Sequence, residues 1–135
     1  MVDTSVWGSA SFDNQAASAW IEAFAEEPTD SGLEAALRGW PADQRIEAAR
    51  VAIAAAEAVA AWRGAASPEL PASLGRFTFG RSEGLPPELL RRARRTVAAI
   101  RDVSSLRDHW RARGRLQDFE GRMDDLVARL GGRVA

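Results

Sequence analysis

Apolar residues recur along this chain at intervals of three and four, the spacing that gathers one face of an α-helix. Ala17, Trp20, Ile21 and Phe24 make a first stripe behind an extended lead-in over residues 1–11. Asp13 or Asn14 is placed to cap its start, and Pro28 to end it. Ser31 with Glu34 forms a capping-box pattern opening a short helix through Leu33, Ala36, Leu37 and Trp40, which Pro41 breaks. From about Asp43 to Arg63 the apolar positions cover more than half the circumference, which predicts a central helix closed by Gly64.

Residues 64–87 hold four of the six prolines and read as a long connection, with a helical turn at Pro71–Leu74. Phe77-Thr78-Phe79 is too short to define a strand. A helix from about Pro87 to Val103 turns Leu90, Ala93, Val97 and Ile100 inward. Ser105 with Asp108 opens a short helix carrying Trp110 and ending at Gly114. Leu116, Phe119, Met123, Leu126 and Leu130 then mark a last helix before Gly131-Gly132. The pattern predicts an all-α fold: one domain over 1–135, a compact bundle of about five or six helices with one long connecting loop. Trp20, Trp40, Trp62 and Trp110 belong in or beside its core.

Composition sharpens this picture. The chain has 27 alanines, which favour thin helices at close approach. It has no cysteine, so disulfides, thiolate metal sites and cysteine nucleophiles are excluded. It has no lysine either, which removes Schiff-base chemistry and the lysine of a phosphate-binding loop. No cofactor or metal is implied. The first residues carry neither a basic nor an apolar leader pattern, and no apolar run reaches the ~20 residues of a membrane span. The sequence therefore reads as cytoplasmic.

Charge is unevenly shared. Residues 1–62 hold ten acids and three arginines (−7), whereas 63–135 hold nine acids and fifteen arginines (+6). Either the halves neutralise each other on folding, or a charged face is left to steer a partner of opposite sign. Arg91, Arg92, Arg94, Arg95 and Arg101 form the candidate basic face. A sequence pI of about 5.9 and the absence of a groove-reading or base-stacking motif weigh against nucleic acid.

Glu57 sits inside an alanine run; if it faces the core it needs an arginine or several hydrogen-bond donors. His109, the one histidine, has no partner spacing that promises catalysis or a metal. The most motif-like stretch is Trp7-Gly8-Ser9-Ala10-Ser11-Phe12-Asp13-Asn14, whose aromatics and cap residues suit docking a chain end on the bundle.

The run Trp7-Gly8-x-x-x-Phe12-Asp13-Asn14 with Ala17 and Trp20, the block Ala54–Ala61 around Glu57, and Ser105-Leu106-Arg107-Asp108-His109-Trp110 together resemble the bacterial family catalogued as domain of unknown function 4259. The three blocks span nearly the whole chain in order. The resemblance implies a small helical protein and transfers no catalytic or binding residues. Trp7, Gly8, Phe12, Asp13, Asn14, Glu57 and Trp110 are therefore candidates for either a functional or an anchoring role. The expected activity is a non-enzymatic interaction module, of inhibitor or immunity type, that meets a protein partner or itself through a charged face. The alternatives are a small enzyme built on carboxylates such as Asp13 and Glu57, and nucleic-acid binding by residues 91–115.

Overall fold

A computed structural model describes residues 15–42, 44–67, 70–78 and 84–131, and within these no side chain at 41, 77 or 78. Among the described residues there are seven helices and no strand. They are α1 (Gln15–Glu26), α2 (Asp30–Ala42), α3 (Ile46–Trp62), α4 (Ala72–Thr78), α5 (Pro87–Asp102), α6 (Ser105–Ala112) and α7 (Leu116–Arg129). The expected all-α bundle is present, with the turn at Pro71–Leu74 extended into α4. No helix is long and apolar enough to cross a membrane among these residues.

The hub is α3, which touches each of the other six helices. Every residue from Ala52 to Ala60 is buried, including Ala52, Ala54, Ala55, Ala56, Ala58 and Ala60 at 0% exposure. A helix enclosed on all sides must carry small residues somewhere on each flank, and the alanines meet that need while preserving helix propensity. Leucines and aromatics come from the neighbours: Leu33, Leu37 and Trp40 from α2, Phe119, Met123 and Leu126 from α7. Trp62 and Trp110 are also buried, and Trp20 packs against the core while stacking on Phe24 at 4.9 Å between ring centroids.

Three contacts fix the helix directions. Arg94 Nη1 donates to the Leu130 carbonyl at 3.2 Å, and Arg101 Nε to Asp124 Oδ1 at 2.6 Å, so α5 and α7 run antiparallel. Arg63 Nη1 donates to the Arg129 carbonyl at 2.7 Å, which brings the C-terminal ends of α3 and α7 together.

Several boundaries differ from the periodic reading, and capping explains them. α2 opens at Asp30 because Thr29 Oγ1 accepts the Gly32 N–H at 2.9 Å; Ser31 is already inside the helix. The regular helix yields at Trp40 (φ −111°, ψ 126°), the extended conformation a following proline imposes. α3 begins at Ile46, not Asp43, and Arg45 gives no side-chain cap. Its end is as expected: Gly64 takes φ +93°, and the Ala65 N–H returns to the Ala60 carbonyl at 2.8 Å. In α5, Leu89 is the buried leucine and Leu90 only partly so. α6 is capped by Ser104, one residue before the serine the pattern singles out; its Oγ accepts the Arg107 N–H at 2.9 Å and donates to the Ile100 carbonyl at 2.7 Å.

Candidate functional site

The lead-in carrying Trp7, Gly8, Phe12, Asp13 and Asn14 lies outside the described residues, as does Phe79. The remaining candidates fall into three places, a buried ion pair, a histidine corner and an arginine face, and the structure adds a fourth, an acidic corner whose residues the sequence did not single out.

Glu57 projects from the enclosed middle of α3 with its side chain 3% exposed. Arg129, in the last turn of α7, grips it with two parallel bonds, Nη1 to Oε1 at 2.7 Å and Nη2 to Oε2 at 3.1 Å. This fork is the geometry in which arginine meets a carboxylate most strongly. Arg129 also donates to Asp125 Oδ2 at 2.8 Å and to the Ala65 carbonyl at 3.3 Å. Burial alone would lower the Arg129 pKa, but the hydrogen bond and charge of Glu57, aided by Asp125, outweigh it and raise the value. The pair ties the hub to the C-terminal helix. Sequence alone left open whether Glu57 faces the core, and for a buried Glu57 asked for an arginine or several hydrogen-bond donors without naming them. Arg129 was discoverable as the cation flanking the α7 stripe, three positions after Leu126 and one before Leu130.

Trp110 is 2% exposed, with Arg113 and Arg115 over its ring at 5.8 and 5.6 Å from the centroid. Its neighbour His109 meets it edge-on at 4.9 Å. His109 Nε2 is buried and has no hydrogen-bond partner among the described residues. Desolvation first, then the positive charges of Arg113 and Arg50, hold the His109 pKa below its ordinary 6.5. An imidazole without a carboxylate to orient it is poorly placed for acid–base work. No group of three or more metal-ligating side chains occurs among the described residues.

The arginines of α5 do not form one continuous free face. Arg94 serves the Leu130 carbonyl, and Arg101 takes both carboxylate oxygens of Asp124 with Asp102 beside it. The Asp124 hydrogen bond is the leading cause that raises the Arg101 pKa. Arg91 bonds Glu88, and that contact, its charge, and Arg95 and Arg92 nearby lower the Glu88 pKa. Arg95 is exposed and Arg92 half-buried, and neither has an ion-pair partner among the described residues.

The acidic side is more uniform. Glu22 and Glu26 near the end of α1, Glu27 after it and Asp30 opening α2 are all exposed. None of the four pairs with a cation among the described residues, and α1 contains no basic residue. Behind this corner, α2 and α5 enclose a cavity of about 220 Å³ lined by Asp30, Glu34, Arg38, Pro86, Glu88, Leu89 and Arg92. A shallower apolar groove of about 270 Å³ runs between α2 and α3 along Ala35, Gly39, Ala48 and Val51. Glu57 lines neither.

Comparison with known proteins gives one relationship. The sequence model of a family described as Domain of unknown function (DUF4259) matches residues 5–122. No curated protein matches, and no solved structure does.

Proposed function

The chain belongs to the family described as Domain of unknown function (DUF4259), whose description carries no chemistry, and from its own surface we propose a non-enzymatic protein-interaction module that docks a cationic partner on the α1–α2 corner. The observation carrying this reading is the set Glu22, Glu26, Glu27 and Asp30, all exposed and none in an ion pair among the described residues. Such a set costs the fold something: Glu22 and Glu26 are four apart on one helix face and repel, and Glu26 and Glu27 sit at the end of α1 where the helix dipole favours positive charge. A locally unfavourable pattern on a surface that could have held arginine is what a docking face for positive charge requires. When the cationic partner is an enzyme, the module acts as an inhibitor or immunity-type protein. It operates in the cytoplasm on this reading.

The enzyme alternative draws less support, because Glu57 is clamped by Arg129 and faces neither cavity. Nucleic-acid binding draws less as well, since Arg94 and Arg101 are committed to α7.

The test is affinity capture from the native extract with the full chain and with a variant carrying Glu22→Lys, Glu26→Lys and Glu27→Lys. A specific partner retained by the parent at low salt, weakened at moderate salt and lost with the reversed variant supports the proposal. No specific partner at either salt, or equal retention by both proteins, overturns it.

A further inference from the structure

The cavity between α2 and α5 carries a feature that the docking corner does not explain. Its wall holds three carboxylates, Asp30, Glu34 and Glu88, and two guanidinium groups, Arg38 and Arg92. Some of these are already satisfied: Arg38 bonds Glu34, Nη2 to Oε1 at 2.8 Å, and Glu88 is bonded by Arg91. Asp30 remains, and so does Arg92, whose charge reaches Glu88 only through space. They face the same space with opposite charge, yet form no ion pair with each other or with any described residue. A carboxylate and a guanidinium that line one cavity without pairing leave a gap that a ligand carrying both charges would bridge.

We propose that this cleft binds a free basic α-amino acid, with its carboxylate on Arg92 and its side-chain cation on Asp30. Arginine is the residue suited to forked recognition of a carboxylate. Asp30 offers the ligand cation an unshared carboxylate. Glu34 and Glu88 each retain oxygen lone pairs for further donors, because one carboxylate accepts several hydrogen bonds. The wall thus carries one negative charge more than positive, matching a ligand with two cations and one anion. Pro86 and Leu89 supply an apolar surface for the aliphatic stem. The size agrees: pockets for drug-sized ligands run to about 300–1,000 Å³, and this one is smaller. Because the walls are partly open to water, the charges are screened and binding is weak. Asp30 belongs to both readings, but Glu22→Lys, Glu26→Lys and Glu27→Lys alter no residue of the cavity wall, so the two can fail separately.

Titration of isotope-labelled protein with L-arginine, followed by amide chemical shifts, decides the matter. Saturable shifts confined to the amides near Asp30, Glu34, Glu88 and Arg92 are expected. Agmatine, which lacks the carboxylate, and L-leucine, which lacks the second cation, are each expected to bind about fivefold more weakly. Asp30→Asn and Arg92→Gln should each weaken L-arginine binding by about the same factor with an unchanged helical circular-dichroism spectrum. Absence of saturation, agmatine or L-leucine binding as tightly as L-arginine, or both variants binding like the parent would overturn the proposal.

Discussion

Glu57 stands among residues that are almost all alanine, at a position where any apolar side chain of suitable size would have satisfied the helix. Its charge is tolerable only because Arg129 arrives from the far end of the chain with a matched fork. The two partners are unequal in burial: the Glu57 side chain is 3% exposed and that of Arg129 18%. Removing the arginine therefore strands a carboxylate in a dry interior, whereas removing the carboxylate leaves an arginine that can still reach Asp125 and water. Arg129→Leu should cost about 3 kcal/mol, near the lower end for orphaning a buried charge. Glu57→Leu should cost less. The double variant, apolar on both sides, should be more stable than Arg129→Leu alone, because buried pairs are worth little against well-packed hydrophobic replacements. Urea denaturation of the four proteins measures this, and a double variant that loses the sum of both single costs would contradict it.

At the scale of an element, α6 is a helix whose stability depends on its surroundings. Eight residues are too few to hold a helix in water. It persists through the Ser104 cap and the burial of Leu106 and Trp110. His109 rides on this short helix between Arg113 and Arg50, and its folded pKa lies below 6.5. Between the folded and unfolded values the unfolded chain binds the extra proton, so stability falls as the solution is acidified. The contribution of the neutral ring is complete above pH 6.5 and is lost as pH drops through the folded value. Melting temperature should decline with acidification in this range, well before carboxylates such as Glu88 protonate, and His109→Gln should flatten the slope. An equal slope in parent and variant would show that the histidine is not responsible.

Elements of this kind were readable from spacing, because burial of one face imposes a period that survives in the sequence. The ends were less so. Adjacent serines at 104 and 105 are chemically equivalent as caps, and it is the extended backbone of Ser104 (φ −161°, ψ 158°), with Ser105 already helical, that selects the first. At α2 the cap is likewise earlier than spacing favours, at Thr29 and not Ser31. α4 was hidden because seven residues bracketed by prolines and glycines carry too little period to distinguish a helix from a turn. The cavity was invisible, since Asp30 and Arg92 are 62 positions apart and become neighbours only through α2 packing beside α5.

For the molecule as a whole, several surface ion pairs among the described residues do not cross between the acidic and the basic half. Arg101 with Asp124, Arg107 with Glu120, Arg115 with Asp118 and Arg129 with Asp125 all lie within the second half. The link from Glu57 to Arg129 joins the halves, but it is buried and leaves the outer fields unchanged. The acidic corner thus keeps a repulsion that one substitution can relieve. Glu26→Lys places an ammonium four residues after Glu22, in the favourable order, and at the helix end where the dipole welcomes it. The variant should be more stable than the parent by about 0.5 kcal/mol at low ionic strength, with the gain shrinking as salt is added. The same change should weaken capture of a cationic partner. A gain in stability accompanied by a loss of binding separates a docking face from a merely tolerated surface, for which stability would rise and capture would not change. Urea denaturation at two salt concentrations, paired with the capture experiment, reads both quantities from one protein. If Glu26→Lys lowered stability instead, the corner would already be compensated, and the physical basis for a positively charged partner would be gone.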